Sequence, residues 1–560
     1  MIKYQANDVA NGTHKTSIHQ ELKTVIAKKR PVRGVTLTIG LFFDGTGNNR
    51  ENTAFRLLQF NGCSAFHQGI NQNDAQSCEA FYKEISQDNT SNGSYRGYYS
   101  NIHWLNILYL PTQALSDNQT SAQIKTYISG IGTAAGKADS NIGMGLGTSV
   151  LDRYEGVVTK TDEAITGIAN VIAEFMGFNT NPDFCIAKIQ FDIFGFSRGA
   201  AAARHFANRV MEQDPAIADA ILDGLRGDFY DGKPSGEVRF IGLFDTVAAI
   251  GGIDNFFDVH GRSNPQVNLE LRPSVAKKVF QITAMNEYRY NFSLNSIRDM
   301  WPELALPGAH SDIGGGYNPP GSPLQENESQ FLSCPQFEIV SDDTRETDTQ
   351  VYRNAEKDRE ILGSLPSLKY LLPHGKLTTK VRSVGVKNNN QRRAGIIQKQ
   401  VGAAVFFERM AIPNNWANVS LRVMLDAAQE AGVFFEPIRQ TNTELQLPTE
   451  LIILSDKAIA QGKAVRLGQE YQPFTDVELN LIGKYTHCSA HWNIESDRNV
   501  WVDPKTGEVF IQRFGPKEDK AFLFPHKPND HWIRSVWYMD DQQRIQDSAV
   551  ENSDVAISDH

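Results

Sequence analysis

KIQFDIFGFSRGAAAARHFANRV, residues 188–210, passes from an apolar stretch through Gly195-Phe196-Ser197-Arg198-Gly199 into an alanine-rich one. The residues before the first glycine predict a strand over 187–194, and the apolar spacing of AAAARHFANRVME predicts a helix over 200–212. A serine at such a strand-to-helix turn sits on a tight elbow. Glycines two positions either side are needed there, because side chains would collide with the neighbouring strand and helix. The elbow lifts Oγ above the sheet and sets the helix N-terminus behind a developing oxyanion. A bare G-x-S-x-G also arises as a structural turn; Ala200 to Ala203, small enough to let the helix lie against a sheet, weigh toward the elbow.

Outward from this stretch, VTLTIGLFF (35–43) predicts a buried strand that stops at the glycine-rich turn Asp44-Gly45-Thr46-Gly47-Asn48-Asn49. DEAITGIANVIAEFMGF (162–178) has the spacing of an amphipathic helix, Pro182 marks a turn, and VRFIGLF (238–244) predicts a third strand. Strand, helix and strand at these lengths predict an α/β chain, with an α/β-hydrolase-like, mostly parallel sheet flanked by helices and an additional C-terminal or inserted lobe. At 560 residues the chain exceeds what one core usually organises. The expected division is an N-terminal arm over 1–33, a catalytic core over 34–320, an acidic linker or insertion over 321–365, and an accessory region over 366–560. That last region would contact a membrane or partner and pack partly on the core. Residues 326–360 carry ten acidic and four basic side chains, which reads as a solvated segment. Helices are expected over 417–432 and 449–462, and no internal repeat is present.

A serine hydroxyl needs a histidine to take its proton, and the histidine needs an acceptor on its other nitrogen. In an α/β-hydrolase these partners follow the serine in the order acid, then histidine. Asp245, at the end of the third strand, is placed where Ser197 also emerges; Asp192 lies inside a strand, and Asp254 and Asp258 lie further into the loop. His310 in LPGAHSDIGGGY (306–317) has the required order and a turn of small residues that can bring a ring close to the elbow, although a buried structural histidine would look similar. His205 belongs to the helix after the serine, and His260 to a loop. For the oxyanion, one backbone donor is expected at Arg198 and the other at Gly45 or Thr46. Asp44 with Asp312 could instead suggest phosphoryl chemistry or a divalent ion, but no phosphate loop or ligand spacing accompanies them.

No metal and no cofactor are expected. His487, Cys488 and His491 in YTHCSAHWN look ligand-like but lack a convincing further ligand, and a structural role or one supporting the active site is preferred. Gly143, Gly145 and Gly147 match a phosphate loop only loosely, without its lysine. Aromatic clusters at 407–417 and 531–539 read as core or contacts between lobes, with apolar surface around a lipid-binding pocket as the other possibility.

The 65 acidic and 55 basic side chains give a formal charge of −10, so nucleic acid is not an expected partner and simple adsorption to an anionic bilayer is disfavoured. Five scattered cysteines describe neither a disulfide scaffold nor a zinc knuckle. The first 31 residues lack the apolar stretch of a signal peptide, and no window is long enough for a membrane span. The expectation is synthesis in a cytoplasm and, if the chain is exported, a route that reads no classical leader.

Five blocks, LFFDGTGNN (41–49), YISGIGT (127–133) with GMGLG (143–147), IFGFSRGAAAAR (193–204), GLFDTVAA (242–249) and LPGAHSDIGGGY (306–317), resemble in order the DUF2235 α/β-hydrolase family. Within it they resemble the Tle1 group of type VI secretion lipase effectors. YTHCSAHWN (485–493) and HWIRSVW (531–537) resemble the group more loosely. The resemblance implies that Ser197 is the nucleophile, Asp245 the acid and His310 the histidine. It further implies a phospholipase A1 or A2 that attacks an acyl ester of membrane glycerophospholipids without a cofactor. Such effectors are carried on a secretion spike or tube protein of the VgrG or Hcp type into a neighbouring bacterium's periplasm, while a cognate immunity protein protects the producer. A soluble carboxylesterase and a catalytically silent secretion adaptor are the alternatives.

Overall fold

The structure is a computed structural model that describes residues 33–54, 56–57, 97–133, 156–180, 183–228, 230, 232–248, 267–320, 322, 328–333, 336–385, 398–490, 500–502, 509–511, 528–529, 531–539 and 543–545. The arm over 1–32, the glycines 143, 145 and 147, Asp254, Asp258, His260 and His491 lie outside the described residues.

Six strands form the central sheet: β1 (Arg33–Phe43), β2 (Ser121–Ile128), β3 (Phe184–Phe196), β4 (Glu237–Phe244), β5 (Lys278–Ala284) and, after the two-residue β6 (Leu294–Asn295), β7 (Glu303–Leu306). Their order is β2-β1-β3-β4-β5-β7, and every neighbouring pair is parallel. Parallel strands are buried on both faces, which explains near-continuous apolar runs in β1 and β3. Within β3, Ile189, Phe191 and Ile193 enter one core, while Phe194 and Phe196 enter the other.

The first face is covered by α2 (Val157–Phe178), α3 (Arg198–Met211) and α4 (Pro215–Leu225), through Ile168, Ile172, Ala200 to Ala203, Phe206 and Ile221. Asp214 caps α4 by accepting from the Ala216 N–H at 2.8 Å, with Pro215 just inside, where its missing N–H costs nothing. The second face is covered by α1 (Asn101–Leu108) and by two helices from far along the chain, α7 (Trp416–Glu430) and α8 (Thr449–Arg466). Among the described residues no helix is long and apolar enough to cross a membrane.

Between α5 (His310–Gly314) and α7 the chain builds a second, antiparallel sheet. Its strands are β8 (Glu328–Phe331), β9 (Gln336–Ser341), β10 (Lys376–Gly385) and β11 (Gln398–Arg409), and α6 (Gln350–Ser364) packs on it through Val351, Ala355 and Leu362. The acidic stretch expected as linker or insertion is therefore regular structure in these residues. Its charges reflect exposed edges and helix faces: β9 has only exposed and half-buried positions, and α6 buries Val351, Ala355 and Leu362 while its other positions are exposed or half-buried. Near the end of the chain, β14 (Ser535–Trp537) adds to β6 in parallel and pairs on its other side with β15 (Gln543–Ile545); α9 (Asp476–Gly483) and the short hairpin of β12 (Val500–Val502) and β13 (Val509–Ile511) precede them.

Candidate active site

The strand order reverses between β1 and β3. The chain steps from β1 outward to β2 and then crosses back to β3, which leaves a crevice at the carboxyl ends of β1 and β3, the place where open parallel sheets bind ligands. Phe43 at the end of β1 is in register with Gly195, and Phe196 with Phe244.

Ser197 stands at that crevice, between β3 and α3, with φ 59° and ψ −129°. A non-glycine residue holds such a left-handed angle only where its surroundings force it. Here the Ser197 N–H donates to Phe244 O at 3.0 Å, the Val247 N–H donates to Ser197 O at 3.4 Å, and α3 begins at once. The two glycines are required by close approach: a Cβ on Gly195 would lie 2.6 Å from Ala200 Cα, and one on Gly199 would lie 2.2 Å from Asp44 O. The elbow is wedged between its own helix and the end of β1.

Asp245 follows β4 with φ 45° and is fully buried. Its Oδ2 meets His310 Nδ1 at 2.5 Å, while its Oδ1 accepts from the Ala284 N–H at 2.9 Å. His310, the first residue of α5, is held by the Glu287 carboxylate, which accepts from its N–H at 3.2 Å. Its ring lies 4.6 Å from the Phe196 ring and edge-on to Phe292 at 4.9 Å. His310 therefore packs against the residue immediately before Ser197. No hydrogen bond joins the Ser197 hydroxyl to the His310 ring among the described residues. Burial pushes the His310 imidazole below its ordinary value against the pull of Asp245, which favours the neutral form a general base requires. Burial alone would raise Asp245, but the Arg534 charge and the His310 hydrogen bond outweigh it and hold the carboxyl well below the usual range.

The loop after β1 closes the other side. The Gly45 N–H donates to Asp44 Oδ1 at 2.7 Å, so of the two expected loop donors Gly45 is turned onto a carboxylate and away from an oxyanion. Asp44 draws it in because the same carboxylate collects Ser100 Oγ and Tyr127 Oη, each at 2.6 Å. Thr46 instead reaches toward the elbow, its Oγ1 accepting from Arg198 Nε at 2.8 Å. The backbone of Arg198 opens α3 beside Ser197.

The rivals go elsewhere. Asp192 is paired with Arg239 and Tyr109 inside the sheet, and His205 Nδ1 accepts from the Asn268 N–H at 3.2 Å. Asp312 accepts from the Ala309 N–H at 2.9 Å, from the His487 N–H at 2.7 Å and from His487 Nδ1 at 2.7 Å. The ring of Tyr317 stacks on His487 at 3.6 Å. His487 thus ties the C-terminal half to the helix that begins with His310, and Cys488 is buried in the core of the second sheet. Among the described residues, no group of three or more His, Cys, Asp or Glu side chains could hold a metal ion.

Sequence reasoning passed over Arg534, whose Nη1 and Nη2 donate to the two oxygens of Asp245 at 2.6 and 2.9 Å. It also passed over Glu287, buried and paired with Arg289 at 2.9 Å. An arginine amid the apolar HWIRSVWYM was a usable signal, because a buried cation needs a buried anion. Nothing in the pattern says which anion.

A six-stranded parallel sheet between two helical layers, with a strained serine elbow at its switch point and an Asp–His pair beside it, defines an α/β-hydrolase-like protein. Residues 228–333 match the family described as type VI secretion system phospholipase effector Tle1-like, catalytic domain. The solved structure of the Tle1 effector bound to the VgrG spike from the type VI secretion system is 78% identical, covers 96% of this chain and 100% of that one, and superposes with a TM-score of 0.72. The chain belongs to the Tle1 family of type VI secretion phospholipase effectors. An uncharacterized protein from Pseudomonas aeruginosa is 16% identical over 81% of this chain and 54% of that one, with a TM-score of 0.33, too slight a likeness to bear on the fold. Among curated proteins none matches.

Proposed function

We propose that the chain hydrolyses an acyl ester of membrane glycerophospholipids with Ser197 as nucleophile, His310 as general base and Asp245 as the acid that orients it. The observation that carries this reading is the 2.5 Å contact between His310 Nδ1 and Asp245, made beside Phe196 of the elbow. With Nδ1 engaged by the carboxylate, Nε2 is the nitrogen left to take the Ser197 proton. Oγ attacks the ester carbonyl carbon, and the tetrahedral oxyanion is held by the N–H groups of Arg198 and Thr46 with the positive end of α3 behind them. The carbon–oxygen bond to the glycerol then breaks, His310 returns its proton to that oxygen, and lysophospholipid leaves. Water, deprotonated by the same histidine, attacks the acyl-enzyme and frees the fatty acid and Ser197.

Delivery follows from family membership. The 78% identical relative is bound to a VgrG spike, and we extend that mode of carriage to this chain. The target compartment would be the periplasm of a neighbouring cell, and a cognate immunity protein would protect the producer.

The test compares wild type with Ser197→Ala and His310→Ala on phospholipids labelled at sn-1 or sn-2. The triad reading expects each substitution to lower kcat by about 10⁴–10⁶-fold while the fold persists. Release unaffected by both substitutions would overturn it, and the label released by wild type assigns A1 or A2.

A further inference from the structure

The guanidinium of Arg534 reaches the candidate active site from a position 289 residues beyond Asp245 in the chain. The pairing of β14 with β6 puts it there: Val536 and Trp537 lie in register with Leu294 and Asn295, and the Ser296 N–H donates to Trp537 O at 2.9 Å. Leu294, Val536 and Tyr538 form a small apolar cluster that seats the strand. Arg534 itself is 2% exposed. Its Nε donates to Phe292 O at 2.6 Å, its Nη1 to Asp245 Oδ1 at 2.6 Å and more weakly to Ala284 O at 3.3 Å, and its Nη2 to Asp245 Oδ2 at 2.9 Å. This is the two-pronged arginine–carboxylate geometry that fixes a plane as well as a charge.

Without this cation, Asp245 would keep one backbone N–H and the His310 ring as its partners inside a buried site. A carboxylate so placed is costly to keep ionised, and the Asp–His pair would take up a proton more readily, whichever member holds it. With the cation present, the carboxylate stays an anion in one plane, and a second positive charge on the imidazole is opposed. The other charged or titratable groups around the pair are Glu287 with its partner Arg289, whose guanidinium stacks over Phe292 at 3.4 Å, Asp312 with His487, and Arg198 on the elbow side. Among the described residues, Arg534 is the cation in direct contact with the Asp245 carboxylate.

We propose that Arg534 is a positioning residue for the hydrolysis: inserted by the C-terminal strand, it fixes the Asp245 carboxylate as an oriented anion and so keeps His310 a neutral base over the working pH range. This rests on the triad reading above.

The test uses the full chain with Arg534→Gln and Arg534→Lys, a water-soluble p-nitrophenyl ester, and rates expressed per serine titrated by a reactive phosphonate, so that misfolded molecules are not counted. Arg534→Gln is expected to lower kcat by about 10²–10³-fold, on the scale of acid–base catalysis, with KM nearly unchanged. The acidic limb of its pH profile for kcat/KM should move to higher pH, because the Asp–His pair now protonates more easily. Arg534→Lys restores the charge without the fork; its limb should return toward wild type and its kcat should exceed that of the glutamine variant about tenfold or more. If the glutamine variant does not fold, the lysine variant carries the test by a lowered kcat per titrated serine with the limb held near wild type. A merely structural role would lower the number of titratable serines and leave both kcat per serine and the limb where they were; that result would overturn the proposal. Failure of the phosphonate to label wild-type Ser197 would instead strike the triad reading itself.

Discussion

Asp44 and Asp245 are both buried carboxylates at the ends of parallel strands, and their surroundings drive them in opposite directions. Burial pushes Asp44 up to about 6, because the hydroxyls of Ser100 and Tyr127 and the Gly45 N–H offset it only in part. At Asp245 burial is outweighed by Arg534 and His310. The pH consequences have opposite signs. Asp44, raised above its unfolded value, contributes stability below the usual carboxylate range and loses it as pH rises through about 6; Asp245, depressed, contributes above that range and loses its contribution as acid protonates it. Replacing Asp44 with Asn removes a group that is costly to ionise. The stability of Asp44→Asn relative to wild type should therefore shift in the variant's favour between pH 5 and pH 8, by about 1.4 kcal/mol for a displacement of this size. Denaturant unfolding at the two pH values measures it, and an offset that does not change with pH would contradict the assignment.

At the scale of elements, the elbow is where local sequence and tertiary contact agree. Gly199 is needed because the end of β1 occupies the space a methyl group would take. Gly199→Ala should cost about 1–3 kcal/mol of stability, as overpacking does, and lower kcat steeply by shifting Ser197, measurable by unfolding and by ester hydrolysis on the same sample. An active, equally stable variant would contradict the close approach. The strands were legible for the same reason that they are buried: the apolar runs at 35–43, 187–194 and 238–244 fall within Arg33–Phe43, Phe184–Phe196 and Glu237–Phe244. The helix expected from 162 begins at Val157, because its N-cap is Gly156, which offers no side-chain signal. The stretch at 326–360, expected as a solvated linker or insertion, takes in β8, β9 and much of α6, because charge density reports exposure, and an edge strand or surface helix is as exposed as a linker. Of the candidate site, Ser197, Asp245 and His310 are proposed from turn chemistry and chain order, and the fold brings Asp245 and His310 into contact. Asp44 turning Gly45 inward, and Arg534 reaching Asp245, depend on partners brought together by the fold, and no local pattern carries them.

The whole molecule does not separate simply into a catalytic first half and an appended second. Trp416, Val419, Met424 and Leu454 cover the face of the sheet that holds Phe42, Phe194, Phe240 and Phe280, and the Trp416 indole donates to Pro307 O at 2.6 Å in the turn that leads to His310. Residues 33–320 made alone would expose that face, and they should be recovered aggregated or without a cooperative unfolding transition. A soluble, cooperatively folding fragment would contradict this. In the full chain Trp416→Ala should cost about 3–5 kcal/mol. His487, Trp416 and Arg534, all from the second half, converge on the segments that carry His310 and Asp245. The distant half of the chain thus serves as framework for the candidate site at the switch point.

The most direct test of the central claim, that Ser197 is the nucleophile of a hydrolase, is mass spectrometry of the full chain after reaction with a lipid-like phosphonate ester. The account expects one adduct per molecule, on the peptide containing Gly195-Phe196-Ser197-Arg198-Gly199, with loss of lipase activity in step with labelling and no adduct in Ser197→Ala. An adduct at another residue, or full activity with Ser197 labelled or replaced, would contradict it.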